Sequence, residues 1–363
     1  MQQQQMALLR LSLRAAAPSR WSSPHPLLSS GCGIHASSAA SNMALIKKLR
    51  EQSGAPISDV KKALEATDWD LSRASEELRK RGLSAASKKA SRSASEGLVG
   101  LASSPSGHGV AVVEINSETD FVARNELFTG VVSKAAEALL ASRPASAAAG
   151  GGAGGGGGGG AMMDSLSVVD AGTLGAVRMA DGRQVSEAVQ EVAGTVRENI
   201  KVRRGVVLQS ASGVVGTYLH ARVEGAPMCG RIAGAVLLES DGDGPDVDMG
   251  RIRETANKLA MHVVGSVPKY LNRESVPAED LEKERRLLME QAGTSGKPAK
   301  IVEKMVEGRL NKFYQEQCLL EQPFVMDDKK RVTDVVKELG GNVRLGAFAR
   351  VAVEGDSDSD GDD

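Results

Sequence analysis

The chain has 363 residues, of which 41% are hydrophobic and only 3% aromatic, and its net charge at pH 7 is −1. This length is enough for two or three domains whose cores consist mainly of aliphatic side chains. No apolar run beyond the N-terminal region approaches the length of a membrane span, so we expect no membrane association. Cys32, Cys229 and Cys318 are far apart and have no Cys or His at ligand spacing, which indicates a reduced compartment and no zinc site.

The N-terminal region differs in composition from the rest of the chain. Residues 1–50 contain Arg and Lys but no Asp or Glu, and the first 42 are also rich in Ser, Ala and Leu. The leucines near the start are interrupted by Arg10, Ser12 and Arg14, which is not typical of a secretory signal. We therefore predict that residues 1–42 are an organelle transit peptide, for the mitochondrion rather than the chloroplast.

Residues 43–82 have the pattern of three short helices. Gly54 and Pro56 end the first, and the third begins after Asp70 as N-cap and ends before Gly82. Residues 83–108 are rich in Ser, Ala, Gly and Lys, which predicts a flexible linker. Its basic side chains could approach RNA, but a solvated linker is the simpler interpretation, and we expect no direct nucleic-acid binding.

An apolar strand is predicted from Val110 to Ile115, followed by turn residues and then by a helix with Asn125 as N-cap. Phe121 lies at this junction between strand and helix. Two interpretations are open from the pattern alone. The ring either fills the core beneath the junction, as most large apolar side chains do, or is an exposed aromatic anchor for a partner.

Residues 144–161 are almost entirely Ala and Gly and end in a run of glycines, which predicts a flexible insertion in a first half-domain, 109–204. A phosphate-binding loop is excluded because neither Lys-Ser nor Lys-Thr follows the glycines. A second half-domain is predicted over 205–353. It starts with a hairpin of strands 206–209 and 214–220, and continues with strand 233–238 and a helix around 252–263.

Two charged helical segments within 278–317 predict an antiparallel helical hairpin that projects from the second half-domain. A helix over 332–339 and a strand over 345–353 follow. The tail 354–363 is acidic and lacks apolar residues, so we predict that it is disordered. Strand followed by amphipathic helix therefore occurs twice, at 110–141 and at 232–265.

No local arrangement of Ser, His and Asp, or of Cys and His, is typical of nucleophilic catalysis. His262 lies beside the apolar face of its predicted helix, which favours a structural role over a catalytic one. We therefore expect a protein without chemistry of its own and without a cofactor or a metal.

Four sequence segments carry a family resemblance. The string from Glu114 to Asn125, with Thr-Asp-Phe-Val at 119–122, resembles the signature of elongation factor Ts, the guanine nucleotide exchange factor of the GTPase elongation factor Tu. The segments 54–64, 301–309 and 322–326 are similar to the same family. The resemblance implies an α+β fold with an N-terminal ubiquitin-associated (UBA)-like three-helix domain, two related half-domains with antiparallel sheets, and the helical hairpin.

The resemblance also implies a site and a partner. Thr119, Asp120, Phe121 and Val122 match the family segment that wedges between helices of elongation factor Tu near its Mg²⁺ and loosens the bound GDP. Ile57 and His220 match further positions near the GTPase. Oligomeric state and stoichiometry stay open, as do two other functions. The three helices alone would also suit a ubiquitin-binding adaptor, and an enzyme of α+β class has no residue constellation in its favour.

Overall fold

Two antiparallel sheets pack face to face in the computed structural model, and helices cover the outer face of each sheet. This mixture of helices and antiparallel sheets confirms the predicted α+β fold class. The residues that the structure describes are 35–143, 165–240, 248–293, 299–340 and 342–354.

Several predicted segments lie outside those ranges. They are residues 1–34 of the proposed transit peptide, the whole Ala/Gly-rich insertion 144–161 and the acidic tail after Glu354. The predictions for these segments therefore stay predictions.

The order of strands and helices along the chain is as follows. The strands are β1 (Glu96–Ser103), β2 (Gly109–Ser117), β3 (Leu166–Asp170), β4 (Ile200–Gln209), β5 (Val214–His220), β6 (Cys229–Gly230), β7 (Ile232–Ser240), β8 (Pro323–Phe324), β9 (Asp327–Arg331) and β10 (Val343–Ala352). The helices are α1 (His35–Ser53), α2 (Ile57–Ala66), α3 (Leu71–Ser87), α4 (Asp120–Ala123), α5 (Glu126–Ser142), α6 (Ala171–Ala176), α7 (Val185–Val196), α8 (Met249–Ser266), α9 (Ala278–Gly293), α10 (Ala299–Gln317) and α11 (Val332–Lys337).

The first sheet has the strand order β3-β4-β2-β1-β6, and β2 at its centre is buried along its whole length. Its side chains alternate between two cores, as a strand covered on both faces requires. Val110 and Val112 face the second sheet, whereas Ala111 and Val113 face α5 and α7. The apolar run that predicted this strand thus reflects burial on both sides.

The second sheet has the order β10-β7-β5, and α8 packs on its outer face. Here too alternate residues divide between two cores. Ala235 and Leu237 point toward the first sheet, and Val236 and Leu238 point toward α8. The strand-then-helix pairs β2–α5 and β7–α8 are the repeated unit that the sequence predicted.

The three N-terminal helices have their own small core and dock on the first half-domain through α3 and α7. Two glycines allow the close approach of these helices. A Cβ built on Gly194 would lie 2.6 Å from the carbonyl carbon of Gly82, so any larger residue there displaces backbone. An ion pair between Asp59 and Arg197 adds a second connection.

The helices α9 and α10 pack against each other around Leu288 and Val306. The contact between α10 and the short 3₁₀ helix Leu319–Glu321 ties the pair to the second half-domain. Arg273, in the segment after α8, adds an ion pair with Glu321 of the same 3₁₀ helix. A helical hairpin therefore occurs where the charged segments predicted one.

The prediction of a flexible linker over 83–108 is wrong. Helix α3 continues to Ser87, and β1 pairs with β2 along eight residue pairs. Small residues in β1 made the segment resemble a linker, but they serve packing. A Cβ on Gly100 would lie 2.7 Å from Cγ1 of Val132, so the glycine lets α5 lie close to the sheet.

The predicted hairpin of 206–209 with 214–220 is also wrong. Strand β4 pairs with β2 and β3 in the first sheet, whereas β5 pairs with β7 in the second. The chain crosses from one sheet to the facing sheet at residues 210–213. The boundary between half-domains predicted at residue 205 therefore falls inside β4, which belongs to the first sheet as far as Gln209.

Two further boundaries shift. Helix α1 begins at His35, ahead of the predicted start of the three-helix unit at residue 43. At the other end of the chain, Glu354 was assigned to the disordered tail but is hydrogen-bonded to the first sheet. Its N–H donates to Oε1 of Glu114 at 2.9 Å, because a buried carboxylate at that position needs donors.

Candidate protein-interaction site

Phe121 is the most exposed large apolar side chain in the described part of the chain, at 79% of its full accessible area. It lies on the single turn of α4, directly after β2. Val122 and Ala123 in the same turn are buried in the core between the first sheet and its helices. The interpretation of Phe121 as a core residue is therefore wrong. The turn buries two neighbours and presents the ring to solvent.

Thr119 fixes the start of this turn. Its backbone is extended, with φ −129° and ψ 158°, as is usual for the residue before a helix. Its N–H donates to Oε2 of Glu198 at 3.0 Å, and its hydroxyl donates to Oε1 of the same carboxylate at 2.8 Å. The hydroxyl of Ser117 donates to the carbonyl of Thr119 at 3.0 Å, which closes the turn on the other side.

Glu118 adds a second set of contacts around the turn. One of its carboxylate oxygens accepts from the backbone N–H of Asn199 at 2.6 Å, and the other lies 3.4 Å from Nη1 of Arg92. The side chain of Asn199 donates in turn to the carbonyl of Arg92 at 2.6 Å. Two separate segments of chain, one with Arg92 and one with Glu198 and Asn199, therefore hold the loop in one conformation, which is the preorganisation that a rigid binding surface needs.

Sequence reasoning missed Arg92, Glu198 and Asn199 as parts of this site. Arg92 lay in the supposed linker, and the other two precede β4, which was assigned to a different sheet neighbour. A correct pairing of β4 with β2 would have indicated them, since the residues before one strand then lie beside those after the other.

Asp120 is the first residue of α4 and its carboxylate reaches solvent. Oδ2 lies 3.4 Å from Nη2 of Arg124, one helical turn later. Such an exposed i,i+4 pair is weak, so the carboxylate can exchange this partner for another at little cost. Asp120 and Phe121 thus form an adjacent polar and aromatic pair on one turn.

Ile57 is the first residue of α2, and 51% of its area is exposed. The start of α2 lies near the start of α5. A Cβ built on Gly54 would be 3.1 Å from Cδ1 of Leu127, the second residue of α5. Leu127, itself partly exposed, was not among the sequence candidates, and it connects the three-helix unit to the segment that follows the Phe121 turn.

His220 is exposed at the end of β5 in the second sheet. Its Nδ1 lies 3.3 Å from the hydroxyl of Tyr218, and its carbonyl accepts from the N–H of Arg231 at 3.0 Å. Among the described residues, no hydrogen bond, ion pair or ring contact joins His220 to the Phe121 turn. The structure thus brings Thr119–Val122 together and places Ile57 and His220 on other elements.

The two described cysteines and His262 are buried. Burial raises the pKa of the thiol of Cys229, and it raises the pKa of Cys318 to about 11, so neither is a thiolate nucleophile at neutral pH. His262 is buried and hydrogen-bonded to Gln322 at 2.9 Å, which confirms its predicted structural role. In the ranges that the structure describes, no three His, Cys, Asp or Glu residues are grouped so as to hold a metal ion.

No helix in the described ranges combines the length and the apolarity that crossing a membrane requires.

The family model described as "Elongation factor TS" matches residues 118–354, a span that starts at the Phe121 turn and ends at Glu354. The chain belongs to the elongation factor Ts family.

Relatives from plants and bacteria extend the similarity over most of the chain. Elongation factor Ts, mitochondrial, of Ostreococcus tauri is 42% identical over 327 residues, which are 87% of this chain and 88% of the relative. The protein of the same name from Ricinus communis is 41% identical over 325 residues, 88% of this chain and 82% of the relative. Elongation factor Ts of Rhodospirillum rubrum is 42% identical over 311 residues, 85% of this chain and 90% of the relative.

Membership of the elongation factor Ts family implies a role in translation elongation, as a nucleotide exchange factor for elongation factor Tu. Such a factor acts by binding, and the geometry of the Phe121 turn fits that mode of action. The turn offers an exposed ring, a carboxylate held only by an exposed ion pair with Arg124, and a rigid support.

Proposed function

We propose that this chain accelerates GDP release from elongation factor Tu by inserting the Asp120–Phe121 pair beside the Mg²⁺ and phosphate site of the GTPase. The observation that carries the proposal is the exposure of Phe121 on a turn whose neighbours are buried and hydrogen-bonded. A side chain in that position is available to a partner without rearrangement of the protein.

Each of the four turn residues has its own part in the proposed mechanism. Phe121 is the wedge. An aromatic side chain that buries about 150 Å² gains roughly 4 kcal/mol at 25 cal/mol per Å², before the costs of association. Asp120 competes for polar contacts linked to the Mg²⁺. Thr119 and Val122 hold the turn from below, through Glu198 and through the core.

Exchange follows from differential binding. If the protein binds the nucleotide-free GTPase more tightly than the GDP-bound form, GDP binding is weakened by the same factor. Burial of Phe121 contributes to this difference only when the nucleotide site is open. The protein itself undergoes no chemical step.

Ile57 and His220 are proposed as additional contacts with the GTPase. Ile57 offers exposed apolar area on α2, and His220 offers a ring on the second sheet. Since they lie on separate elements from the turn, they enlarge the docking surface and contribute to affinity more than to the wedge itself.

The proposed compartment is the mitochondrial matrix. The basic N-terminal region without acidic residues supports import, and relatives in Ostreococcus tauri and Ricinus communis are named mitochondrial. A fusion of residues 1–42 to a fluorescent protein, imaged in cells that contain both organelles, should label mitochondria. Label in chloroplasts would place the protein in the stroma instead.

The exchange activity is tested by the release of a fluorescent GDP analogue from purified elongation factor Tu on addition of the full chain. We expect the release rate to rise with protein concentration to a plateau, and excess GDP to dissociate the complex, as reciprocity requires. No acceleration at any concentration would overturn the proposal. Capture by immobilised ubiquitin in the same preparation would favour the adaptor function instead.

A further inference from the structure

Glu114 breaks the apolar pattern of the central strand. It follows Val110 and Val112 on the face of β2 that points toward the second sheet, and both of those side chains are buried in the apolar core between the sheets. Its side chain is 0% exposed. Burying a carboxylate between two sheets is unfavourable unless every oxygen has a partner, so its surroundings require an explanation.

Four residues form what we call the junction cluster: Glu114, Asn116, Arg204 and Glu354. Oε2 of Glu114 accepts from Nε of Arg204 at 2.9 Å, and Oε1 accepts from the backbone N–H of Glu354 at 2.9 Å. Nδ2 of Asn116 donates to the carbonyl of Glu354 at 2.8 Å. Nη2 of Arg204 lies 2.7 Å from the Glu354 carboxylate.

The cluster joins the two sheets. Glu114 and Asn116 belong to β2 and Arg204 to β4, both in the first sheet, whereas Glu354 follows β10 of the second sheet. A register shift after Glu114 leaves it opposite Arg204 and leaves Ile115 opposite Val202. The pair Glu114–Arg204 still follows the regular antiparallel register, which places both side chains on the inter-sheet face, and the bulge comes only after this pair.

A purely apolar contact would hold the sheets together without specifying their relative position. The junction cluster adds directional contacts at one edge, because Glu114 and Asn116 bind both the N–H and the carbonyl of a single residue. Buried ion pairs add little net stability compared with apolar replacements, whereas they can select one arrangement among several. This cluster therefore specifies position more than it adds stability.

The junction cluster lies next to the Phe121 turn. Asn116 lies near the end of β2, three residues before Thr119, and Ser117 pairs with Ile200 at the adjoining end of β4. The residues just before β4 are Glu198 and Asn199, which hold the turn. The strand ends that carry the Phe121 turn are thus the ends that Glu354 connects to the second sheet.

We infer that Glu114, Asn116 and Arg204 are positioning residues that hold Glu354, the first two through its backbone and Arg204 through its carboxylate, and thereby fix the Phe121 turn relative to the second sheet and His220. The inference rests on the proposed exchange function, since it concerns the aim of the same wedge. Glu354 is the first residue of the predicted tail 354–363, so the acidic residues after it are not required for this effect.

Two truncated chains distinguish the effect of the Glu354 contacts from any effect of the acidic residues after Glu354. A chain that ends at Val353 loses Glu354, whereas a chain that ends at Asp356 keeps it and loses only part of the tail. The internal variant Asn116→Ala removes the donor to the Glu354 carbonyl. We expect the chain ending at Val353 and the Asn116→Ala variant to show a plateau GDP-release rate about five- to tenfold lower, equivalent to roughly 1–1.4 kcal/mol. The chain ending at Asp356 should match the full chain.

A double-mutant cycle with Phe121→Ala separates positioning from a general structural role. If the cluster acts through the wedge, Asn116→Ala should add little to the loss already caused by Phe121→Ala. Amide hydrogen exchange at residues 119–124 should also become faster in Asn116→Ala, while α8 stays protected. The inference would be overturned if the losses in GDP-release rate were fully additive and amide hydrogen exchange at residues 119–124 were unchanged.

Failure of the proposed function would look different. If Phe121→Ala accelerated GDP release from elongation factor Tu as much as the unaltered protein does, Phe121 would not be the wedge. The amide hydrogen exchange measurement would still decide how the turn is positioned. Faster amide exchange at 119–124 in Asn116→Ala would then support the hold on Glu354 as a structural device, and unchanged exchange would reject it.

Discussion

Glu198 accepts both hydrogen bonds that Thr119 can donate, one from the backbone N–H at 3.0 Å and one from the hydroxyl at 2.8 Å. The two residues are far apart in sequence and meet because β2 and β4 are neighbours. Through this contact, the residue that starts α4 is fixed by the strand beside it. The exposure of Phe121 is thus a consequence of sheet pairing rather than of loop conformation alone.

Glu198→Ala should therefore slow the nucleotide exchange that the protein promotes on elongation factor Tu. It leaves the N–H and the hydroxyl of Thr119 without their acceptor, which costs about 1–3 kcal/mol where the site stays dry. We expect a lower plateau rate of GDP release and faster amide exchange at residues 119–124. Glu137→Ala, an exposed acidic residue on α5, is the matched control and should behave like the unaltered protein. Equal rates for both variants would contradict the supporting role of Glu198.

Ile57→Ser and His220→Ala test the outer docking surface. Both side chains are exposed, so neither change should affect folding. Each removal should raise the protein concentration needed for half-maximal GDP release while leaving the plateau rate nearly unchanged. Titration of labelled elongation factor Tu with each variant measures this directly. A plateau loss as large as that of Phe121→Ala would mean that the residue belongs to the wedge.

Gly194→Ala should destabilise the packing of the three N-terminal helices. The new Cβ would meet the carbonyl carbon of Gly82 at 2.6 Å, and backbone cannot rotate away. Such overpacking typically costs 1–3 kcal/mol, so the thermal midpoint of this unit should fall by several degrees. Gly308→Ala in α10 meets open space and should instead stabilise its helix by up to about 1 kcal/mol. Calorimetry on both variants decides whether the sign differs as expected.

His262 should make stability depend on pH. Its Nδ1 accepts from the N–H of Val325 at 3.2 Å, so the proton is on Nε2, which donates to Gln322. Burial lowers its pKa below the ordinary value of 6.5. As pH falls through 6.5, His262 therefore binds a proton in the unfolded chain but stays neutral in the folded chain. The free energy of unfolding decreases as a result. Above that pH the contribution is fully present.

Urea unfolding at pH 7.5 and pH 5.5 measures this effect. The decrease in the free energy of unfolding at the lower pH should be smaller in His262→Gln, because glutamine does not titrate. His108→Gln, at a partly exposed histidine, is the matched control and should retain most of the decrease. An identical pH dependence in His262→Gln and in the unaltered protein would exclude His262 as the source.

Local patterns predicted single elements well. The continuous β-branched run identified β2, and Asn125 does cap α5, with its side chain accepting from the N–H of Leu127 at 2.9 Å. The family resemblance, not the pattern, favoured exposure of Phe121 over burial. Periodicity could not decide this, since a one-turn helix of four residues has no repeat to reveal its buried side.

Long-range pairing was the part that the sequence could not supply. Strands β4 and β5 are both apolar, and a short polar segment separates them. This is the pattern of a hairpin, yet the two strands lie in facing sheets. Strand β1 was hidden because its glycines and alanines permit close packing of α5. The supports of the turn, Arg92 and Glu198, depend on these pairings and were missed with them.

The central claim is that Phe121 is the wedge, and one stopped-flow comparison tests it most directly. Release of a fluorescent GDP from elongation factor Tu is followed at saturating Phe121→Ala, beside Val168→Ala, which truncates another exposed apolar side chain, at 72% exposure on the edge strand β3. We predict a plateau rate at least about tenfold lower for Phe121→Ala, equivalent to 1.4 kcal/mol, and an unchanged rate for Val168→Ala. Equal plateau rates for the two variants would contradict the account.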